Sequence, residues 1–313
     1  TLYGYYAGRL ITTGARNTII GGLAGDAAGT NVLNYNVIIG SYAGGTLSNT
    51  SNSNVIVGDG AGASSVGMSG SVVIGQGAGD GNTGSSNVLI GYNAAPVNTS
   101  GHRNVAIGNE ALRYNVTGID VVAIGYRALY NDASIEESTA VGSHALYTQT
   151  SGRNTAIGYH ALQDLTTGTY NTAVGGESAE NITDGNYNVA VGTFSLRALT
   201  EGDENTAVGY QALANNTTQD KNTALGYRSG YFWTGGNENT FIGYHAGYGT
   251  AAGSTGGENT LIGSYTGASS AGIGGDGNTS LGRYTLFSLT SGSYNTALGH
   301  QAGASISTGD ANT

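Results

Sequence analysis

The sequence predicts an all-β fold, a β-solenoid of about 18 short coils, on three observations. A phrase of one Asn, one β-branched residue, two apolar residues and one Gly recurs along all 313 residues. It returns after 16 to 20 residues, most often after 17, which is too short for the common helical repeats. Glycine is abundant, with 56 residues, but there is only 1 proline, which excludes collagen and proline-rich linkers.

We number each coil from the glycine of the phrase, which is position 0; earlier residues are negative and later ones positive. The 18 glycines are Gly4, Gly21, Gly40, Gly58, Gly75, Gly91, Gly108, Gly125, Gly142, Gly158, Gly175, Gly192, Gly209, Gly226, Gly243, Gly263, Gly282 and Gly299. Because the phrase fills residues 1–313, we expect one repeat domain. Neither end shows a cap, so we also expect a segment of a longer chain without its flanking domains.

Each part of the phrase predicts one part of the coil. Position −3 is always Thr or Val, and position −1 is aliphatic in every coil but the first, which indicates a short strand ending at the glycine. Position +3 is always Ala, Ser or Thr, which predicts a second strand packed closely there. Asn holds position −4 in 14 of 17 coils and predicts a ladder of side-chain amides at one corner. A row of ligand amides is the alternative.

Both faces of the strand are apolar, which predicts an oligomer. Position −2 points away from −3 and −1, yet it is also apolar in nearly every coil. Bulky residues at −2 go with small ones at +4, as in Ile19 with Gly25 and Ala106 with Leu112, so the two positions are predicted to share one cavity. We place both inside the coil and leave −3 and −1 for a partner chain, although the opposite assignment is open.

The repeats at 154–162 and 205–213, Asn-Thr-Ala-Ile-Gly-Tyr-His-Ala-Leu and Asn-Thr-Ala-Val-Gly-Tyr-Gln-Ala-Leu, resemble a known type. They are similar to the Asn-Ser-Val-Ala-Ile-Gly repeats of trimeric autotransporter adhesin heads, and more so to repeats of phage tail fibres and related bacterial surface fibres. The resemblance implies a left-handed parallel β-roll, a parallel homotrimer, adhesion or receptor binding, and a place on a cell surface or a phage tail. The 17-residue period departs from the shorter adhesin repeat.

Composition excludes several classes of function. The formal net charge is −10, from 20 acidic and 10 basic residues, which argues against a nucleic-acid surface. The chain has no cysteine and therefore no disulfide or thiolate chemistry. No apolar run approaches the ~20 residues of a membrane span, and no signal peptide is visible.

Tyrosine, with 21 residues, supplies the candidate binding residues. Tyr210, Tyr227 and Tyr244 hold position +1 in consecutive coils and are predicted to form a stacked ladder, or else an aromatic surface for sugar rings. A second candidate is Tyr231-Phe232-Trp233, which holds the only Trp and lies in a predicted turn; packing over a coil edge is its alternative.

Other motifs are weak. Gly58-Asp59-Gly60-Ala61-Gly62 imitates a nucleotide loop but follows the register of the repeat. Gly274-Gly275-Asp276 resembles a calcium-binding turn but is not repeated. His144 and His160 both hold position +2 in adjacent coils, where a metal site competes with a solvated surface. We therefore expect no cofactor, no metal and no enzyme activity.

The expected function is a structural and adhesive module, the shaft or head of a trimeric surface or tail fibre that contacts a cell-surface glycan or protein. The rival is a monomeric ice-binding solenoid that uses the Thr residues at −3. Val replaces Thr at seven of those positions, which weighs against it.

Overall fold

A computed structural model describes residues 1–26, 32–48, 50–131, 134, 136–249 and 253–313. The described residues divide into two compact units, Thr1–Asn154 (unit 1) and Thr155–Thr313 (unit 2). Both are parallel β-solenoids made of the predicted coil, with one strand per coil and no helix in the described part of the chain. The all-β solenoid and its period near 17 residues are therefore confirmed.

Unit 1 contains nine short strands, each paired in parallel with the next. They are β1 Leu2–Tyr3, β2 Thr18–Ile20, β3 Val37–Ile39, β4 Val55–Val57, β5 Val72–Ile74, β6 Val88–Ile90, β7 Val105–Ile107, β8 Val122–Ile124 and β9 Thr139–Val141. Register follows the repeat, so every coil position faces the same position of the next coil.

Unit 2 repeats this arrangement with nine further strands in the same register. They are β10 Thr155–Ile157, β11 Thr172–Val174, β12 Val189–Val191, β13 Thr206–Val208, β14 Thr223–Leu225, β15 Thr240–Ile242, β16 Thr260–Ile262, β17 Thr279–Leu281 and β18 Thr296–Leu298.

The coil glycine is required by its surroundings. Gly209 has φ +135°, and a Cβ built on it would lie 2.3 Å from the carbonyl oxygen of Gly226 in the next coil. The same close approach recurs between coil glycines within each unit, such as Gly108 against Gly125 at 2.4 Å. Glycine therefore ends every strand because successive coils touch there through backbone atoms alone.

The second strand expected at position +3 is absent from the described residues, which form turns there. Positions +2 and +4 both have positive φ, as at Gln211 (55°) and Leu213 (48°), and such residues cannot continue an extended strand. Position +3 is small because it lies inside the coil: Ala212 is fully buried. The small residue was a correct signal of close packing but not of a strand.

The interior assignment of −2 and +4 is confirmed. The middle residue of each strand from β2 to β18 is buried, whereas −3 and −1 are partly or fully exposed. A Cβ on Gly25 would lie 3.1 Å from Cδ1 of Ile19, so the two positions do share space. One exception to the volume rule, Ala224 with Gly230, is explained by Phe241 of the next coil, whose Cδ2 would lie 2.8 Å from that Cβ.

The asparagine ladder at −4 is also confirmed. In unit 2, Nδ2 of Asn188 donates to Oδ1 of Asn171 at 3.1 Å, and the same oxygen accepts the Asn188 backbone N–H at 2.9 Å. Nδ2 of Asn188 also donates to the carbonyl of Gly202 at 2.8 Å. These buried amides are therefore satisfied by neighbouring coils, which is the structural alternative and leaves no free row of ligands.

Candidate functional site

The first candidate surface is the outer strand face, which we define as positions −3 and −1. In all 18 coils these positions carry no charged residue. The −1 side chains project away from the core and are half-buried in most coils, with 41% exposed at Ile157 and 48% at Leu225. Within each unit the face therefore consists of uncharged Thr or Val at −3 and, in every coil but the first, aliphatic residues at −1.

The second candidate surface is the tyrosine ladder at position +1 in unit 2. The ring centroids of Tyr210 and Tyr227 lie 5.4 Å apart at 16°, and those of Tyr227 and Tyr244 lie 5.3 Å apart at 10°. The predicted stacking is confirmed. Because each ring covers the face of the next, the ladder presents ring edges and hydroxyls to solvent, and a sugar ring finds few free faces on which to stack.

Tyr231 and Phe232 lie beside this ladder and are partly exposed. Their rings meet edge to face at 4.5 Å, and Tyr231 stacks on Tyr248 at 5.7 Å and 15°. Together with the ladder they form an aromatic cluster, and a ligand role for these residues stays a prediction.

Trp233 is different, because it is completely buried. Its ring packs on Phe241 with centroids 4.6 Å apart, and its Nε1 has no hydrogen-bond partner. A ligand cannot reach this side chain without opening the core, so the predicted ligand role of Trp233 does not fit its position. The turn residue at +7 points into the coil, which the sequence analysis missed although Leu165 and Leu199 hold the same position.

His245 lies inside the aromatic cluster, between the rings of Tyr244 and Tyr248, each at 4.2 Å. Burial lowers the pKa of this imidazole, and the positive charge of Arg228 lowers it further. Its Nε2 is buried and has no hydrogen-bond partner. The neutral form is therefore favoured in the folded chain.

Two arginines border the cluster without an acidic partner. The Arg228 guanidinium lies 5.3 Å from the Tyr227 ring centroid, and its Nε donates to Gln211 Oε1 at 2.7 Å. Arg283 lies 4.5 Å from the Tyr284 ring centroid. Both contacts are cation–π interactions. Neither arginine was predicted as a site residue, although Arg228 at +2 and Arg283 at +1 each closely follow a coil glycine.

The remaining motifs have structural partners. Asp276 accepts the backbone N–H of Gly257 at 2.7 Å, and Nδ1 of His160 lies 3.5 Å from Glu180. Among the described residues, no three His, Cys, Asp or Glu side chains are grouped to hold a metal ion. The part of the chain that the structure describes also has no helix that could cross a membrane.

Comparisons with known proteins add no relative. No protein-family model, no curated protein and no solved structure matches this chain. The resemblance to fibre repeats therefore depends on the repeated phrase and on the solenoid fold alone.

Proposed function

We propose that this chain is the repeat domain of a fibre, assembled as a parallel homotrimer, which serves as shaft or head and contacts a glycan or protein on a cell surface. The observation that carries the proposal is the charge-free outer strand face, exposed in the single chain. The interior is already filled by positions −2, +3, +4 and +7, so the coil has no further layer with which to cover that face.

Other copies of the chain fit this face better than solvent does. An antiparallel or parallel sheet with one wet face alternates apolar and polar residues, and this sheet does not. An uncharged surface with one aliphatic residue per coil, repeated in register, suits an identical surface, since the coil spacing of two copies is the same. The trimer, the left-handed coil and the extracellular location follow from the resemblance to fibre repeats.

The test is the mass of the chain in solution by sedimentation equilibrium. We expect three times the 31.4 kDa of one chain. Ile107→Glu, which places a charge on the outer strand face, is expected to release monomers, whereas Thr117→Glu, on an exposed turn outside that face, is the matched control and is expected to leave the trimer intact. A wild-type mass of one chain at micromolar concentration would refute the assembly.

The adhesive part of the proposal is tested with a glycan array on the purified assembly. Binding that is lost in Tyr231→Ala would assign recognition to the aromatic cluster. If no glycan and no cell surface retains the assembly, the chain is a spacer within the fibre and the adhesive role is wrong.

Ice binding is the second candidate, because one observation favours it. Six consecutive Thr residues at −3 of unit 2 lie in register on the outer strand face; they are Thr206, Thr223, Thr240, Thr260, Thr279 and Thr296. Position −1 on the same face is aliphatic in these coils, however, and unit 1 has mainly Val at −3, so the Thr residues form a single row in unit 2 only. We expect no thermal hysteresis, and a clear hysteresis gap from a monomer would favour the rival.

A further inference from the structure

Charged residues in the last six coils of unit 2, from Gly209 to Gly299, differ between coil positions. Positions +1 and +2 of these coils contain no carboxylate. We call these positions the aromatic edge; they comprise residues 210–211, 227–228, 244–245, 264–265, 283–284 and 300–301. Positions −6 and −5 hold one cation, Lys221, which pairs with Glu238 at 3.9 Å, and six carboxylates. They form the acidic edge, whose carboxylates are Asp203, Glu204, Asp220, Glu238, Glu258 and Asp276. The outer strand face lies between the two edges in every coil.

The arginines of the aromatic edge lack the ion pairs that other arginines make. Arg103 and Arg127 pair with carboxylates at 2.6 and 2.7 Å. Arg228 and Arg283 contact only aromatic rings, Gln211 and a tyrosine hydroxyl among the described residues. Arg16 and Arg113 also lie over tyrosine rings without an ion pair among the described residues, so what distinguishes Arg228 and Arg283 is their place on the aromatic edge.

The same two coils supply matching carboxylates on the acidic edge. Asp220 belongs to the coil of Arg228, and Asp276 to the coil of Arg283. Each accepts a backbone N–H, from Asp203 at 2.8 Å and from Gly257 at 2.7 Å, and neither forms an ion pair in the described part of the chain. Each of these coils therefore carries an unpaired cation on one side of the strand and an unpaired anion on the other.

Closed rotational symmetry brings such edges together. In a ring of identical chains whose strand faces turn inward, the leading edge of each copy meets the trailing edge of its neighbour. Rotation without translation also keeps equal coils at equal height. We propose, on the basis of the trimer proposed above, that Arg228 and Arg283 of each copy pair with Asp220 and Asp276 of the neighbouring copy.

These pairs complete an interface whose centre is apolar. The aliphatic residues at −1 supply the buried area, and the charges on either side set the orientation of the neighbouring copies. Copies packed in the opposite orientation would bring two edges of like charge together, which opposes that arrangement. The tyrosine ladder then lies next to the interface, where its hydroxyls can reach polar groups of the neighbouring copy.

The experiment is charge reversal in the full chain, read by sedimentation equilibrium over a range of concentrations. We expect Arg228→Glu with Arg283→Glu to raise the concentration of half-assembly ~10-fold or more, because like charges then face each other. Asp220→Lys with Asp276→Lys is expected to do the same, and the fourfold variant is expected to assemble as wild type does. Asp220→Asn with Asp276→Asn keeps the acceptor of the backbone N–H and is expected to weaken assembly less.

Arg113→Glu is the matched control. Arg113 also lies over a tyrosine ring, that of Tyr114 at 5.8 Å, but it belongs to neither edge, and we expect no change in assembly. Circular dichroism confirms that each variant is folded.

The outcomes separate this inference from the proposed function. A monomeric wild type refutes the trimer itself. If the wild type is a trimer and the charge-reversed variants have the same concentration of half-assembly, the edge pairing is wrong, but the trimer is still supported. If Arg228→Glu with Arg283→Glu leaves the trimer intact and abolishes binding of polygalacturonate, the aromatic edge faces a carboxylated glycan instead, and the pairing is again overturned.

Discussion

The interior column at position +7 is polar in one region of the molecule and apolar in another. In unit 1, Nδ2 of Asn98 donates to Oδ1 of Asn82 at 2.8 Å, and Nδ2 of Asn115 donates to Oδ1 of Asn98 at 3.0 Å. In unit 2 position +7 holds Leu165, Ile182 and Leu199, followed by Asn216 and Trp233. Nδ2 and Oδ1 of Asn216 and Nε1 of Trp233 are buried and have no hydrogen-bond partner among the described residues.

The difference shows that a buried amide at +7 finds partners both in the column and in its own turn, since Nδ2 of Asn98 also donates to the carbonyl of Gly101 three residues further on. Three asparagines in consecutive coils satisfy one another, whereas one asparagine after a leucine has no partner at the right height. The same residue at the same coil position can therefore raise the free energy of unfolding in one coil and lower it in another.

The two units can be compared only because both are built from the same coil, in which the coil glycine is essential. We expect the largest loss of stability when that glycine is replaced. Gly175→Ala places a Cβ 2.6 Å from the backbone carbon of Gly192, at φ +138°, and we expect a loss of ~3 kcal/mol or more in the free energy of unfolding. Gly176→Ala is the neighbouring control, since its Cβ would meet no atom within 4 Å. Urea denaturation of both variants measures the difference; equal stabilities would contradict the steric account of the coil.

Breaking the polar column is the next largest effect. Asn98→Leu removes the acceptor of Asn115 at 3.0 Å and one of the two donors to Oδ1 of Asn82. Nδ2 of Asn115 then keeps only the longer bond of 3.5 Å to the carbonyl of Gly118. We expect a loss of ~2 kcal/mol in the free energy of unfolding. If denaturation shows Asn98→Leu to be neutral, the ladder contributes nothing measurable.

The same substitution in unit 2 is expected to have the opposite sign. Asn216→Leu replaces an unsatisfied amide with the side chain found at +7 in neighbouring coils, and we expect a gain of ~1 kcal/mol. Asn216→Ala is the control for volume and is expected to gain less. A stability loss in Asn216→Leu would mean that the amide has a function in the column that its partners do not explain.

The smallest effect concerns pH. Unit 2 contains a half-buried imidazole, His245, whose pKa in the folded chain lies below the ordinary value of about 6.5 because of this partial burial. Between these two values the unfolded chain binds more protons than the folded one, so stability falls as the pH drops below about 6.5. We expect the melting temperature of wild type to decrease more between pH 7.5 and 5.5 than that of His245→Phe, which keeps an aromatic ring.

Phe194 holds the same coil position with φ 61°, so phenylalanine is compatible with the backbone at 245. His300→Phe, at an exposed imidazole, serves as the control and should retain the wild-type slope. Parallel slopes for wild type and His245→Phe would contradict the lowered pKa.

The sequence predicted the fold in detail because the coil is repeated 18 times. Each position was sampled in many contexts, so the strand, the asparagine ladder and the shared cavity of −2 and +4 were all visible as patterns. The prediction of a second strand at +3 was wrong because a small residue indicates close packing in any backbone conformation. In addition, Leu and Gln at +2 and +4 do not show from the sequence that these positions have a left-handed backbone.

The candidate site was less predictable. Stacking of Tyr210, Tyr227 and Tyr244 followed from their equal position in consecutive coils. The burial of Trp233 did not, because the only Trp replaces a Leu or Asn at a position that also resembles a turn. The different charges of the aromatic and acidic edges could be seen in the sequence. Their role in an interface can be inferred only when the outer strand face is known to lie between the two edges.

The central claim is that the outer strand face lies between copies of this chain, and one measurement tests it most directly. The chain has no cysteine, so Ile107→Cys provides a single attachment point for a spin label. We predict strong dipolar broadening in the assembled protein, since equal positions face one axis, and its loss when labelled chains are diluted with unlabelled ones. A spectrum without dipolar coupling, identical in the diluted sample, would contradict the claim.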